Sequence, residues 1–154
     1  MIEQAESLLD DKTAEPLLWG ELNFFRGNLL YWQGEAETGA RLLEEALAQI
    51  PEKKIHVKSN TELILGLARQ MIGQKERAIQ ALDDRIRALD PSENFSFAYL
   101  TAGLTFIHLL SGELHQAKVQ AKQMQAVTNK AGNLNTDAWS SYLLAVAHLQ
   151  ASEL

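Results

Sequence analysis

Cysteine is absent from the 154 residues. That excludes a disulfide scaffold, thiol catalysis and cysteine–zinc sites. Glycine (9) and proline (3) are scarce, which argues against a sandwich or barrel built from many tight turns. No stretch approaches ~18 consecutive apolar residues, so nothing in the sequence reads as a membrane-spanning helix. The acidic start MIEQAESLLDDK lacks the basic residues and apolar run of a signal peptide. A reducing cytoplasm is the expected location. What is present is ordinary globular material, 46% hydrophobic and 22% charged. It suits one domain, or a few copies of a smaller unit.

Charge is unevenly spread along the chain. Residues 1–52 hold 3 basic and 11 acidic groups, and residues 53–90 hold 8 and 5. The basic set is Lys53, Lys54, Lys58, Arg69, Lys75, Arg77, Arg85 and Arg87. It reads as solvated helix faces balanced by Glu76, Asp83 and Asp84. The net charge of -6 opposes direct nucleic-acid binding, which needs a basic face to release counterions.

A repeat emerges from the glycines. Gly34, Gly73 and Gly112 are 39 residues apart. Five residues after each stands a small residue (Gly39, Ala78, Ala117), and four further on stand Leu43, Leu82 and Ala121. Seven before each stand Gly27, Gly66 and Thr105. Apolar residues recur at three- and four-residue steps on both sides of the glycine, which predicts helices and not strands. In the first unit the stripe before the turn is Leu22, Phe25, Leu29 and Trp32. Each unit is therefore a helix pair, A then B, joined by a turn whose glycine takes a positive φ and ends helix A. Small residues at the crossing let the two backbones approach.

The expected fold is all-α: an α-solenoid of antiparallel helix pairs with a period of about 39 residues. A helices are placed near 15–33, 53–72, 93–111 and 134–150. B helices are placed near 35–49, 74–89 and 113–130, with a half-unit B helix near 2–10. The whole of 1–154 forms one repeat domain: a partial unit 1–12, units of about 13–51, 52–90 and 91–130, and a partial unit 131–154. The last helix carries Trp139, Tyr142, Leu143, Val146 and Leu149, which one face cannot all bury. The chain accordingly reads as a segment of a longer protein, with self-association through this exposed C-terminal helix.

These residues resemble tetratricopeptide repeats in a variant of about 39 residues. The first unit supplies Gly27, Gly34, Gly39, Leu43, Ala46 and Pro51. The second supplies Gly66, Gly73, Ala78 and Leu82, but sets Arg85 where a small residue is usual. The third keeps Gly112 and Ala117 and departs at Thr105, Ala121 and Met124. More narrowly, the runs GELNFFRGNLLYWQGEAETGARLLEEALAQIP, TELILGLARQMIGQKERAIQALDDRI and WSSYLLAVAHLQASEL resemble the sensor region of MalT-like, LuxR-type, ATP-dependent bacterial transcription regulators. In that family the sensor superhelix binds an inducer or an inhibitory protein. The resemblance implies a ligand- or protein-sensing module of a signal-responsive regulator. A free-standing adaptor or scaffold that binds a peptide or protein partner is the alternative.

Enzyme chemistry finds no support. His56, His108, His115 and His148 form no zinc pattern, Ser140-Ser141 lacks a nucleophile frame, and no phosphate-binding Gly-rich loop exists. No catalytic residue, metal or cofactor is expected. Recognition by the A-helix face remains. Steps of three and four, carried by 39, project Glu21, Phe24, Asn28 and Tyr31 onto that concave face. They also project Asn60, Leu63, Leu67 and Gln70, then Tyr99, Ala102, Phe106 and Leu109, then Ala138, Ser141, Ala145 and His148. Of these, Leu63, Leu67 and Leu109 read as core. Rings beside amides suit a peptide, or a small-molecule effector such as a sugar-like ligand that stacks and hydrogen-bonds.

Overall fold

The computed structural model describes residues 16–90, 92–131 and 134–152. The half-unit helix expected near 2–10 lies outside them, as does Pro91. The described residues form helices and connections only. In order these are α1 (Pro16–Trp32), α2 (Ala36–Gln49), α3 (Ile55–Met71), α4 (Lys75–Arg87), α5 (Asn94–Leu110), α6 (Leu114–Ala131) and α7 (Leu134–Ser152). None is long and apolar enough to cross a membrane. Pro16 takes the first helical position of α1, where its missing N–H costs nothing.

The three glycine turns are built alike. Gly34, Gly73 and Gly112 have φ of 85°, 77° and 72°. At the first, the Gly34 N–H donates to Tyr31 O and the Glu35 N–H donates back to Leu30 O. Gly73-Gln74 and Gly112-Glu113 repeat the pattern on Gln70 and Arg69, and on Leu109 and His108. This six-to-one and five-to-two pairing satisfies the last carbonyls of the outgoing helix. The residue after each glycine already opens the next helix: Gly39, Ala78 and Ala117 donate to the carbonyls of Glu35, Gln74 and Glu113. No residue of the turn is spare, so the incoming helix folds back at once.

Close approach follows. A Cβ added to Gly27 would lie 2.7 Å from Leu43 Cγ and 2.9 Å from Gly39 O, and one on Gly39 would lie 2.9 Å from Gly27 O. At Gly66 it would meet Leu82 Cδ1 at 3.0 Å. Residue 20 of α1 faces 49 at the end of α2 and 50 just beyond it, and residue 27 faces 39 and 43, so the pair runs antiparallel. The third unit exchanges sizes: Thr105 replaces the glycine and Ala121 replaces the leucine, both fully buried. Thr105 Oγ1 donates to Thr101 O at 2.8 Å, so its hydroxyl is satisfied within the helix.

Each helix packs on the next, and the odd-numbered helices also pack in a row, α1 on α3, α3 on α5 and α5 on α7. Among the described residues, the backbones of the even-numbered helices do not approach one another closely, although Arg77 of α4 reaches Glu44 of α2. The core runs continuously from Phe24 through Leu43, Leu63, Leu82, Leu104 and Met124 to Leu143.

The stripe expected to bury α1 is corrected. Leu22 is buried, but Phe25, Leu29 and Trp32 are exposed, Trp32 by 73%. Gly20, Asn23, Phe24 and Gly27 face inward instead. The small residues set the orientation, because only they admit α2 at this distance.

Candidate functional site: the face of the odd-numbered helices

Four rows cross this face. The starts of α3 and α5 are 39 residues apart. On α7 the rows are placed by burial and ring contacts. Gly103 would meet Leu63 and Leu82, and Ile107 approaches Gly66, so both look back along the stack. On α7 the residues 40 further on, Leu143 and Ala147, are fully buried. The rows are therefore Glu21–Asn60–Tyr99–Trp139, Phe24–Leu63–Ala102–Tyr142, Asn28–Leu67–Phe106–Val146 and Tyr31–Gln70–Leu109–Leu149.

These rows differ from the projection onto α7. Ala138, Ser141, Ala145 and His148 do not enter these rows. Ser141 instead accepts a hydrogen bond from Gln125 of α6 at 3.3 Å, and His148 is exposed. Trp139 takes the first row, and its ring lies 5.2 Å from Tyr99 and 6.3 Å from Phe106. Tyr142 and Leu149 are exposed, while Leu143 is not.

At the start of the rows, Glu21, Phe24, Phe25, His56, Val57, Asn60, Phe95 and Tyr99 line a depression of about 410 Å³ between α1, α3 and α5. Four of the projected residues, Glu21, Phe24, Asn60 and Tyr99, thus meet in one place. The rings interlock. His56 meets Phe95 edge-on at 4.2 Å, and Phe95 stacks on Tyr99 at 4.3 Å with 27° between planes. Phe24 and Phe25 are 5.2 Å apart on α1. Together with Trp139 and Phe106, the rings make a continuous aromatic strip over α3, α5 and α7. Sequence reasoning missed His56, Phe95, Phe25 and Trp139. His56 and Phe95 are themselves 39 apart, one helical turn before Asn60 and Tyr99, and that spacing was the available signal.

The other projected residues are engaged elsewhere or withdrawn. Gln70 Nε2 donates to Ser111 Oγ at 3.1 Å and so ties α3 to the end of α5. Tyr31 is partly buried, and burial raises its hydroxyl pKa. Leu63 and Leu67 are core, as expected, and Leu109 is partly buried against it. The carbonyl oxygen of Asn28 is buried and unpartnered, an uncommon state for a polar atom.

Six of the eight residues of the basic cluster are paired, but not with the expected acids alone. Arg69 and Arg77 reach Glu44 at 2.8 and 3.4 Å. Lys58 pairs with Glu52. Arg85, which stands where a small residue is usual, lies 3.2 Å from Glu62 and 3.5 Å from Glu52. The Glu62 contact is close but not an aligned hydrogen bond. Burial pushes the Glu62 carboxyl up against the pull of Arg85 and Lys58. Lys75 bridges to Glu113 at 2.8 Å, and His108 Nδ1 lies 2.8 Å from the same carboxylate. The Lys75 hydrogen bond, then that of His108, lowers the Glu113 pKa. Of the expected partners, Asp84 takes Arg87 at 3.4 Å and Glu76 lies 4.0 Å from Lys75.

Among the described residues no three His, Asp or Glu side chains gather as metal ligands. The geometry offers a stacking surface with a carboxylate and an amide at its edge. Compared with protein-family models, curated proteins and solved structures, the chain matches none.

Proposed function

We propose that the chain is a tetratricopeptide-like recognition module whose odd-helix face binds a ligand or partner, and that it serves as the sensor of a bacterial signal-responsive transcription regulator. The observation that carries the recognition reading is the aromatic strip from His56 through Phe95 and Tyr99 to Trp139. Such rings are usually core. Here His56, Phe95 and Tyr99 border a depression that also holds Glu21 and Asn60. Ligand sites commonly combine apolar walls with a few polar groups. Odd-helix backbones in contact and even-helix backbones farther apart bend a stack toward its odd side, which supports a concave binding face. The regulator assignment rests on the resemblance of the three runs quoted above.

Thermal unfolding of the chain against metabolite and peptide collections tests this reading. A ligand at ~100 times its dissociation constant stabilises by roughly 2.7 kcal/mol. That stabilisation should vanish in Tyr99→Ala. A stabilisation that survives Tyr99→Ala, or none from either collection, contradicts the reading. A stoichiometric protein partner with no response to metabolites would favour the adaptor alternative.

A further inference from the structure

Glu21 is the one acid lining the depression. No ion pair or hydrogen bond engages its side chain among the described residues. The lining also holds Phe24, Phe25, His56, Phe95 and Tyr99, and no lysine or arginine. We propose that this depression binds a small alkylated ammonium compound, with Glu21 as counter-ion and the aromatic walls, the exposed Phe25 ring foremost, against its alkyl groups. The inference rests on the odd-helix face being the recognition surface, and it names the ligand class.

Three physical arguments select the class. A carboxylate beside apolar walls loses hydration when any ligand covers it, and only a cation or a strong hydrogen-bond donor compensates. Aromatic faces carry negative quadrupoles and attract ammonium groups, most strongly where water is excluded. An alkylated ammonium also presents hydrocarbon outward, which matches walls made of Phe24, Phe25, Val57 and Phe95. An anion meets the opposite conditions and is rejected by Glu21. The starts of α3 and α5 lie nearby and carry partial positive charge. That opposition is smaller than the pull of a full carboxylate, because it fades within the first turn. The depression's volume, about 410 Å³, falls within the size range of small-ligand sites.

Choline and its uncharged isostere 3,3-dimethyl-1-butanol decide the matter, titrated into the full chain by NMR. Choline should move the resonances of Phe95 and Tyr99 and bind at least about fivefold more tightly than the isostere. Glu21→Gln, a surface change that preserves shape, should reduce choline to the level of the isostere. Equal binding of the two probes, or choline binding unchanged by Glu21→Gln, overturns the cation assignment but leaves the odd-helix face as a recognition surface. If neither probe moves those resonances, the cation assignment also fails. The recognition surface is then judged separately by the response of Tyr99→Ala to other ligands.

Discussion

Gly27→Thr is expected to lower the unfolding free energy by about 3 kcal/mol or more, at the upper end of overpacking costs. The added Cβ would sit 2.9 Å from the Gly39 carbonyl, which is backbone, and 2.7 Å from Leu43 Cγ. Side chains can rotate away, but a helix backbone moves only as a body. The whole α1–α2 crossing must therefore widen. Trimming Leu43 to alanine in the same chain should not rescue the variant, because the carbonyl remains in the way. Gly34→Ala is the comparison. Its Cβ meets nothing within 4 Å, so only the strain of a positive φ is felt, about 1–2 kcal/mol. Urea midpoints order the three. A Gly27→Thr loss no greater than that of Gly34→Ala would mean the crossing is not close-packed.

The second unit should behave differently. Leu82 is nearly fully buried, and Leu82→Ala is expected to cost about 2–5 kcal/mol through lost burial and the cavity left behind. The obstacle facing a side chain at position 66 is Leu82 itself, with Ile107 Cδ1 next at 3.6 Å. Gly66→Thr combined with Leu82→Ala therefore recreates the arrangement of Thr105 and Ala121 in the third unit. The double variant should cost less than the two single changes added together, by about 0.5–3 kcal/mol as for residues in contact. Strict additivity of the two losses would contradict the size exchange inferred from the third unit.

Those two cases show why so much of the architecture was readable. The glycines that end helices and the small residues at crossings each do a job no other residue does as well. Their 39-residue spacing therefore carries the fold, and helix bounds fall close to the expected ones. Where the marker is lost, the reading slips. The bounds of α7 were placed close to the observed ones, but no glycine marks the register in the last unit, so the periodicity did not fix which way that helix faces. A projection carried by 39 therefore fell on Ser141 and His148 and passed over Trp139. The orientation of α1 was obscure for another reason. Its seventeen residues PLLWGELNFFRGNLLYW are apolar around much of the helix, so an apolar stripe can be drawn on more than one face. Phe25, Leu29 and Trp32 looked as buriable as Phe24, and only the demand for Gly20 and Gly27 at the crossing separates them.

The candidate site was half legible for a similar reason. Glu21, Phe24, Asn60 and Tyr99 follow from carrying one face by the repeat. His56 and Phe95 belong to the turn before, and their part depends on rings from adjacent helices meeting across the groove. Ion pairs were less legible still. Arg69 with Glu44, and Lys75 with Glu113, join residues 25 and 38 apart. Only the folded stack brings those partners together.

The central claim is that recognition occurs on the face of the odd-numbered helices. Amide hydrogen exchange of the chain, with and without a stabilising ligand or partner, tests it most directly. Protection should rise in peptides covering 20–28, 56–63 and 95–102, with the even-numbered helices little changed beyond any uniform stabilisation. New protection confined to α2, α4 and α6, with none in those three segments, would place binding on the opposite side of the stack and contradict the account.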